Sequence, residues 1–284
     1  MTAIPVVKWW QVFNPAIYLI SILPAITIFV LSANSPVWQS GLLFSTLAVV
    51  LLQHAINLFN DVSDWQLGAD TEKMDSWVRV HQGNTQPVTF HAIVSFFLGS
   101  LLGLCVLIIA DKLWILIIAL PLISLGYLYN AGKQPLSYSW MGEWVTAICY
   151  GPGVFGCLWL VAGLAFNPTS ILGMLAFAAL ATSLLLSHQP PQIETDRLVG
   201  KKSFAVRYGA KTTQQVSVLL FTVALLLIGT GMIMNYDIPM LPFGIFIVIA
   251  LFSSYLTKTD PKPKKVLLLS SAFLLLSLMF LRSL

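Results

Sequence analysis

The chain alternates between long apolar stretches and short polar segments. A helix needs about 20 apolar residues to cross the hydrocarbon layer of a bilayer. Nine stretches approach that length, at about 15–33, 38–60, 91–110, 113–130, 141–165, 170–188, 215–234, 239–257 and 266–282. The pattern predicts an all-α polytopic membrane protein with nine transmembrane helices, or eight if a short stretch such as 113–130 does not cross.

Composition places nearly the whole chain in the bilayer. Of 284 residues, 57% are apolar and 9% are charged, so we predict one transmembrane domain over 1–284 without a soluble module. We predict no cleavable signal peptide, because Lys8 is the only charge before the first stretch and no cleavage site follows. The three cysteines fall inside predicted spans, and their spacing indicates buried apolar residues.

The positive charges predict an orientation. Of the 15 Lys and Arg residues, 13 fall on one set of alternating loops, and only Lys112 and Arg282 fall on the other side. Cytoplasmic loops carry such an excess, so we expect the N-terminus and the polar loops to be cytoplasmic, in a plasma membrane. The net charge of +4 is then a topology signal, and no nucleic-acid partner is predicted.

The most informative polar stretch runs from 57 to 75 and reads NLFNDVSDWQLGADTEKMD. In a helix, Asn57, Asp61 and Asp64 recur at i, i+4 and i+7, and Asn60 lies four residues before Asp64, so all four share a face. Acids at this spacing repel one another near a membrane boundary, and Asp70 adds a third carboxylate. The pattern therefore predicts a bound cation. Mg²⁺ suits so sparse a site, because it takes one or two carboxylates and completes its shell with water and phosphates.

Three further polar residues follow that stretch. Arg79 offers a planar fork of donors that matches phosphate oxygens, although a solvated topology-setting charge is an equal interpretation. Tyr127 opens a polar and aromatic loop that ends at Glu143, a lone carboxylate at the edge of a span. Ionisable groups at that depth are candidates for function.

A second acidic loop spans residues 188–209 and reads HQPPQIETDRLVGKKSFAVRYG. Gln192 and Asp196 are spaced i, i+4, and Gly200, Lys201 and Lys202 follow one turn later. Carboxylates for a metal ion and ammonium groups for the remaining charge are what a metal-bridged diphosphate requires. A charged connector would explain this loop taken alone, but two such loops on one side of the membrane favour the diphosphate site.

At these residues the sequence resembles the UbiA superfamily of intramembrane prenyltransferases, and within it the branch that uses 1,4-dihydroxy-2-naphthoate. The first family motif, Asn-Asp-x-x-Asp, is matched by residues 60–64. Further matches of the branch and of the second motif are Gly68, Asp70, Gly142, Glu143, Gly151, Pro152, Asp196, Gly200, Lys201, Arg207 and Gly209. The resemblance covers roughly residues 8 to 211.

The resemblance implies nine helices around a central cavity, capped by two cytoplasmic loops. It implies Mg²⁺-dependent transfer of a polyprenyl group from an allylic diphosphate to an aromatic acceptor within the bilayer. The metal ligands would be Asn60, Asp61, Asp64 and Asp196, with Asp70 as a further catalytic carboxylate. The diphosphate would be bound by Asn57, Asn60, Arg79, Lys201 and Lys202. The acceptor or the cavity would involve Tyr127, Glu143 and Gln192.

One position departs from the family pattern, because Gln192 stands where the second motif usually begins with aspartate. The change weakens a second metal site, so a non-catalytic scaffold stays open as a hypothesis. The same reaction with a different acceptor (4-hydroxybenzoate, homogentisate, chlorophyllide, haem or a glyceryl phosphate) is a second competing hypothesis, and a membrane transporter is a third. Transporters place charges near the bilayer midplane in repeated halves, whereas these acids fall at the ends of spans.

Overall fold

The computed structural model describes residues 7–13, 15–32, 35–69, 75–130, 135–236 and 262–282. All regular structure in these ranges is helical. The helices are α1 (Trp9–Val12), α2 (Pro15–Leu31), α3 (Gln39–Leu67), α4 (Trp77–Val80), α5 (Thr85–Ile109), α6 (Leu113–Asn130), α7 (Gly142–Val161), α8 (Pro168–His188), α9 (Ile193–Leu198), α10 (Phe204–Asn235) and α11 (Pro263–Arg282).

Six of these helices are long and apolar enough to cross a membrane, namely α3, α5, α6, α7, α8 and α10. The shorter α2 is also apolar, and α11 coincides with the last predicted span. The prediction of a helical membrane protein is therefore confirmed. The number nine stays a prediction, because the stretch 239–257 lies outside the described residues.

Large aromatic side chains form the core between α2, α7, α8, α10 and α11. Phe155, Trp159, Phe177, Phe221 and Phe273 are almost fully buried there. In contrast, α5 and α6 present large apolar side chains on the outside, including Ile109 and Ile117. Such a surface is favourable only against lipid, where apolar side chains need no shielding from water.

Glycines in the run CYGPGVFG, residues 149–156, let α7 and α8 approach closely. A Cβ atom added at Gly151 would lie 2.5 Å from the backbone oxygen of Met174 in α8. Residues Cys149–Gly156 are wound as a π-helix around Pro152, which has no N–H to donate to the preceding turn. The wider π-helical turn accommodates this missing hydrogen bond.

The two ends of the bundle can be told apart by contacts between α3 and α7. The N–H of Trp38, just before α3, donates to the carbonyl of Ala162, just after α7, at 3.0 Å. The C-terminal end of α3 and the N-terminal end of α7 therefore lie at the opposite end. That end, here called the polar end, also holds α4, α9 and the start of α10.

The polar end contains about three helical turns, residues 204–214, that the hydropathy pattern does not predict. The predicted span begins at residue 215, whereas α10 begins at Phe204. The helix is interrupted at Gly209, whose φ of 81° and ψ of 163° are accessible mainly to glycine. The turn before Gly209 carries Arg207 and packs against the polar end, so it lacks the apolar character of a span.

Gly151→Ala should destabilise the bundle, because its new methyl group would press on the backbone of α8. Overpacking of this kind costs about 1–3 kcal/mol. Gly103→Ala is the matched control, since its methyl group would meet only the Cβ of Ala48 at 3.7 Å. Thermal unfolding in detergent should give a lower midpoint for Gly151→Ala than for Gly103→Ala. Equal midpoints would contradict the close packing of α7 and α8.

Candidate functional site

Two acidic helices end in the same way at the polar end. In α3, the N–H of Ala69 donates to the carbonyl of Asp64 at 2.9 Å, and in α9 the N–H of Lys201 donates to the carbonyl of Asp196 at 2.9 Å. The intervening Gly68 and Gly200 adopt positive φ angles of 85° and 75°. Both ends are thus closed by the glycine motif that terminates many helices. The spacing Asp-x-x-x-Gly puts one carboxylate in the last turn of each helix.

These carboxylates lie in an electrostatically unfavourable place. Helix C-termini carry partial negative charge, so an acid in the last turn is destabilised. Asp64 and Asp196 are both buried, at 3% exposure each. Burial raises the pKa of Asp196, the ammonium of Lys201 and the hydroxyl of Ser203 lower it, and the charge of Asp64 raises it further. Asp64 and Asp196 lie at the same end of the bundle, as the contacts of Tyr138 with Asp64 and with the loop after α9 show.

Tyr138 joins the two acidic helices. Its hydroxyl donates to Asp64 Oδ1 at 2.8 Å, and its backbone carbonyl accepts from the N–H of Lys202 at 2.8 Å. The ammonium of Lys201 lies 5.1 Å from the centre of the tyrosine ring, within the range of a cation–π contact. One residue between α6 and α7 therefore contacts α3 and the loop after α9.

Each of the two acids has a polar partner nearby in sequence. Asn60 donates its amide N–H to Asp64 Oδ2 at 2.8 Å, across one turn of α3. Asp196 accepts from the hydroxyl of Ser203 at 2.8 Å, and its Oδ1 lies 3.6 Å from the Nζ of Lys201. The amide oxygen of Asn60 and the carboxylate oxygens are hard ligands of the kind that Mg²⁺ prefers.

Asp61 supports the neighbouring loop. Its Oδ2 accepts from the backbone N–H of Trp77 at 2.7 Å, at the start of α4. The hydroxyl of Ser76 caps the same short helix by accepting from the N–H of Val78. Arg79 lies on α4 and is 7% exposed. Asp61 thus helps to fix the helix that carries the predicted phosphate-binding arginine.

A cavity of about 760 Å³ extends from the polar end into the bundle. Its wall is mostly apolar and comes from α2, α3, α5, α6, α7 and α8. Asn57 lines it one turn before Asn60 and Asp61. Further polar lining residues include Gln53, Tyr129, Thr146, Tyr150 and His188.

The residues predicted for an acceptor do not line this cavity. Tyr127 is 48% exposed and lies beside Phe59 at a smaller apolar pocket between α3, α5 and α6. Glu143 is buried among polar groups at the starts of α7 and α10, where Arg207 Nη2 lies 3.1 Å from its Oε2. Gln192 is half-buried at the start of α9. Lys202 has an exposed side chain, and Asp70 lies outside the described residues.

The donor set fits an Mg²⁺ ion that is shared between the protein and a phosphate-bearing ligand, rather than one enclosed by protein side chains alone. Within the described ranges, no three Asp, Glu, His or Cys side chains form a ligand cluster. Asp64 and Asp196 instead supply carboxylates from two helices, next to Asn60 and a lysine. Mg²⁺ is usually held by one or two carboxylates while water and phosphate oxygens complete its shell. The residues present therefore fit Mg²⁺ together with a phosphate-bearing ligand.

Sequence reasoning missed three residues of this site, namely Tyr138, Ser203 and Gln189. Tyr138 contacts Asp64 from 74 positions away, so no local spacing could reveal it. Ser203 had a local signal, because it lies seven residues after Asp196 and immediately before a helix. Gln189 contacts Glu143 through its side chain and resembles an ordinary polar helix end in the sequence.

The fold and the site together define an integral membrane protein of helical type with a buried acidic site at one end of the bundle. The chain belongs to the UbiA prenyltransferase family, whose sequence model matches residues 21–281.

Named relatives come from several bacteria. The 1,4-dihydroxy-2-naphthoate octaprenyltransferase of Bacillus subtilis is 30% identical over 187 residues, which are 65% of this chain and 59% of that protein. The protein of the same name from Mycobacterium tuberculosis is 30% identical over 67% of this chain and 65% of its own length. Both matches thus span less than two thirds of the relative. The 2-carboxy-1,4-naphthoquinone phytyltransferase of Synechocystis is 29% identical over 79% of this chain and 74% of its own.

Solved structures share the fold. An apo UbiA homologue from Aeropyrum pernix K1 superposes with a TM-score of 0.68 at 14% identity, over 94% of this chain and 98% of that one. A UbiA homologue from Archaeoglobus fulgidus bound to DMAPP and Mg²⁺ superposes with a TM-score of 0.66 at 13% identity, over 98% of this chain and 100% of that one.

Asp196→Asn should stabilise the protein when no divalent metal is present. The folded state raises the pKa of Asp196, so the free energy of unfolding falls as the pH rises through that pKa. Asparagine keeps an acceptor for Ser203 without the buried charge, so we expect a higher unfolding midpoint at neutral pH. Thermal unfolding in EDTA measures this stabilisation, and thermal unfolding with Mg²⁺ and pyrophosphate measures the additional stabilisation by these ligands.

The stabilisation by Mg²⁺ and pyrophosphate should disappear in Asp196→Asn. Glu194→Gln is the control, because Glu194 lies on the same short helix with an exposed side chain and pairs with exposed Arg197. A marked loss of stability of Asp196→Asn in EDTA would contradict the proposed repulsion.

Proposed function

We propose that this protein transfers a polyprenyl group from an allylic prenyl diphosphate to an aromatic acceptor, with Mg²⁺ as cofactor. The observation that carries the proposal is the pairing of Asp64 and Asp196 at two helix ends, beside Lys201 and above a long apolar cavity. A diphosphate with a hydrocarbon tail has the complementary chemistry. Its charged head requires cations, and its tail requires an apolar space.

The chain would bind the charged head from both acidic helices. Bound Mg²⁺ would neutralise the diphosphate and make it a better leaving group. Asp64, Asp196 and Asn60 would hold the ion, while Lys201 and Arg79 would neutralise the remaining oxygens. Lys202 is a weaker candidate, since its side chain is exposed. Asp61 would act by orienting α4, through its contact with Trp77.

Transfer would then proceed at the first carbon of the prenyl chain. The bond between that carbon and the diphosphate oxygen breaks, and the diphosphate leaves with the electron pair. The electron-rich ring supplies the electrons for a new carbon–carbon bond and then loses a proton, or carbon dioxide if the attacking carbon carries a carboxylate. Tyr129 and Tyr150 line the cavity and would shield the allylic cation with their rings.

We propose 1,4-dihydroxy-2-naphthoate as the acceptor. Two bacterial relatives bear the name 1,4-dihydroxy-2-naphthoate octaprenyltransferase, and the chain carries the Gly-Glu and Gly-Pro pairs of that branch at 142–143 and 151–152. The cavity is large enough for an aromatic ring beside the start of a prenyl chain. The structure of the Archaeoglobus fulgidus homologue bound to DMAPP and Mg²⁺ supports a prenyl diphosphate donor.

We infer that the polar end faces the cytoplasm of a cell whose plasma membrane holds the protein. The excess of Lys and Arg on the loops of that end supports this orientation. A transporter is less well supported, because the paired acids lie at the ends of helices rather than at the midplane.

Asp64→Ala and Asp196→Ala should each reduce transfer by a factor of at least about 100, because each removes a charged ligand from the site. The matched control is Asp75→Ala, an exposed acid in the same segment as Asp64, which should keep full activity. The assay offers the purified protein a labelled polyprenyl diphosphate, Mg²⁺ and a panel of aromatic acids, and identifies the product by mass. Full turnover in both alanine variants would overturn the site, and a product from another acceptor would overturn the naphthoate assignment.

A further inference from the structure

Four polar side chains meet where α7, α8 and α10 come together, and three of them are buried. Glu143 Oε2 accepts from Arg207 Nη2 at 3.1 Å, and Glu143 Oε1 accepts from Gln189 Nε2 at 3.0 Å. Glu143 and Gln189 are 9% and 6% exposed, so their hydrogen bonds are shielded from water. The fourth member is Ser203, which connects this network to Asp196.

The network caps α10 in an unusual way. A serine at the start of a helix normally accepts from a backbone N–H of the first turn. Ser203 holds that position, but its side chain makes no capping bond and donates to Asp196 Oδ2 at 2.8 Å. The first N–H groups of α10 are satisfied from other helices instead. Phe204 donates to Glu143 Oε1 at 2.8 Å, and Ala205 donates to Gln189 Oε1 at 3.1 Å.

These bonds have a consequence for the acidic site. In the orientation that donates to Asp196, the Ser203 oxygen makes no capping bond to α10, and Gln189 satisfies the N–H of Ala205 that a capping serine would bind. The first turn of α10 therefore does not draw Ser203 away from Asp196, and the hydrogen bond fixes the orientation of the carboxylate. Partners of this kind around a metal ligand change metal affinity by about 10- to 100-fold.

We propose that Glu143 and Gln189 are positioning residues that cap α10 in place of Ser203 and so hold Ser203 on Asp196. This inference rests on the proposed function, because it assigns the Asp196 carboxylate to the site for Mg²⁺ and diphosphate. It gives Glu143 a role at the helix ends rather than in the acceptor cavity.

The sharpest test replaces Gln189 by methionine, which keeps the side-chain length but cannot accept a hydrogen bond. The N–H of Ala205 then lacks its acceptor and can draw the Ser203 oxygen toward α10, away from Asp196. Asp196 keeps Lys201 but loses the hydroxyl donor. We expect Gln189→Met and Ser203→Ala each to weaken the binding of Mn²⁺ with pyrophosphate by about 10-fold or more. Mn²⁺ replaces Mg²⁺ because bound and free ions can be counted by electron paramagnetic resonance in detergent solution.

The double variant distinguishes positioning from general damage. If Gln189 acts through Ser203, Gln189→Met with Ser203→Ala should bind Mn²⁺ no more weakly than Ser203→Ala alone. Glu143→Gln should weaken binding in the same direction, since it removes the charge that holds Arg207 and the network. Ser183→Ala is the matched control, because Ser183 pairs with Ser217 between the same helices α8 and α10. It should lower thermal stability without changing Mn²⁺ affinity.

The outcomes separate this proposal from the proposed function. Unchanged Mn²⁺ affinity in Gln189→Met, or losses that multiply in the double variant, would overturn the positioning role even if transfer activity is present. The expected pattern of Mn²⁺ binding in a protein that transfers no prenyl group would support the positioning role and overturn the function. Failure of the unmodified protein to bind Mn²⁺ with pyrophosphate would overturn both.

Discussion

The repulsion between two buried carboxylates at helix C-termini is the constraint on which the polar end depends. Asp64 lies in the last turn of the long helix α3, where the backbone already contributes negative charge, and Asp196 is buried on the six-residue α9. Neither position favours stability. An arrangement of this kind is typical of a site that a cation completes, and the cost to the metal-free fold is the reason the site can bind one.

Neighbouring residues of the polar end reduce the electrostatic cost of burying Asp64 and Asp196 but do not remove it. Tyr138 and Asn60 donate to Asp64, while Ser203 and Lys201 contact Asp196. Each of these contacts supplies a hydrogen-bond donor or a cation to a carboxylate. Together the contacts connect helices that lie far apart in the sequence. In the bundle below, aromatic and small residues pack the core, and the buried polar side chains are mostly uncharged serines and threonines. The structure therefore separates a rigid apolar body from a polar end that carries the charges.

The buried carboxylate of Glu143 has two roles, an ion pair and a helix cap. It pairs with Arg207, which compensates its burial, and it accepts the first N–H of α10. A buried carboxylate without such partners would be costly. Its place at the edge of a span indicates a direct chemical role, but its contacts are with helix ends. Glu143 can thus act on the site indirectly, by binding the backbone N–H of Phe204 at the start of α10.

The sequence by itself determined the helical membrane fold, the shared face of Asn57, Asn60, Asp61 and Asp64, and the acid of the second loop. These features follow from local periodicity and from glycine at fixed spacing, which short-range geometry controls. Only the tertiary structure decided that Tyr138 connects Asp64 to the loop after α9, that Asp61 turns one oxygen toward Trp77, and that Tyr127 lies outside the main cavity. Those contacts join residues 16 to 74 positions apart or depend on which helix faces lipid, and no local pattern encodes them.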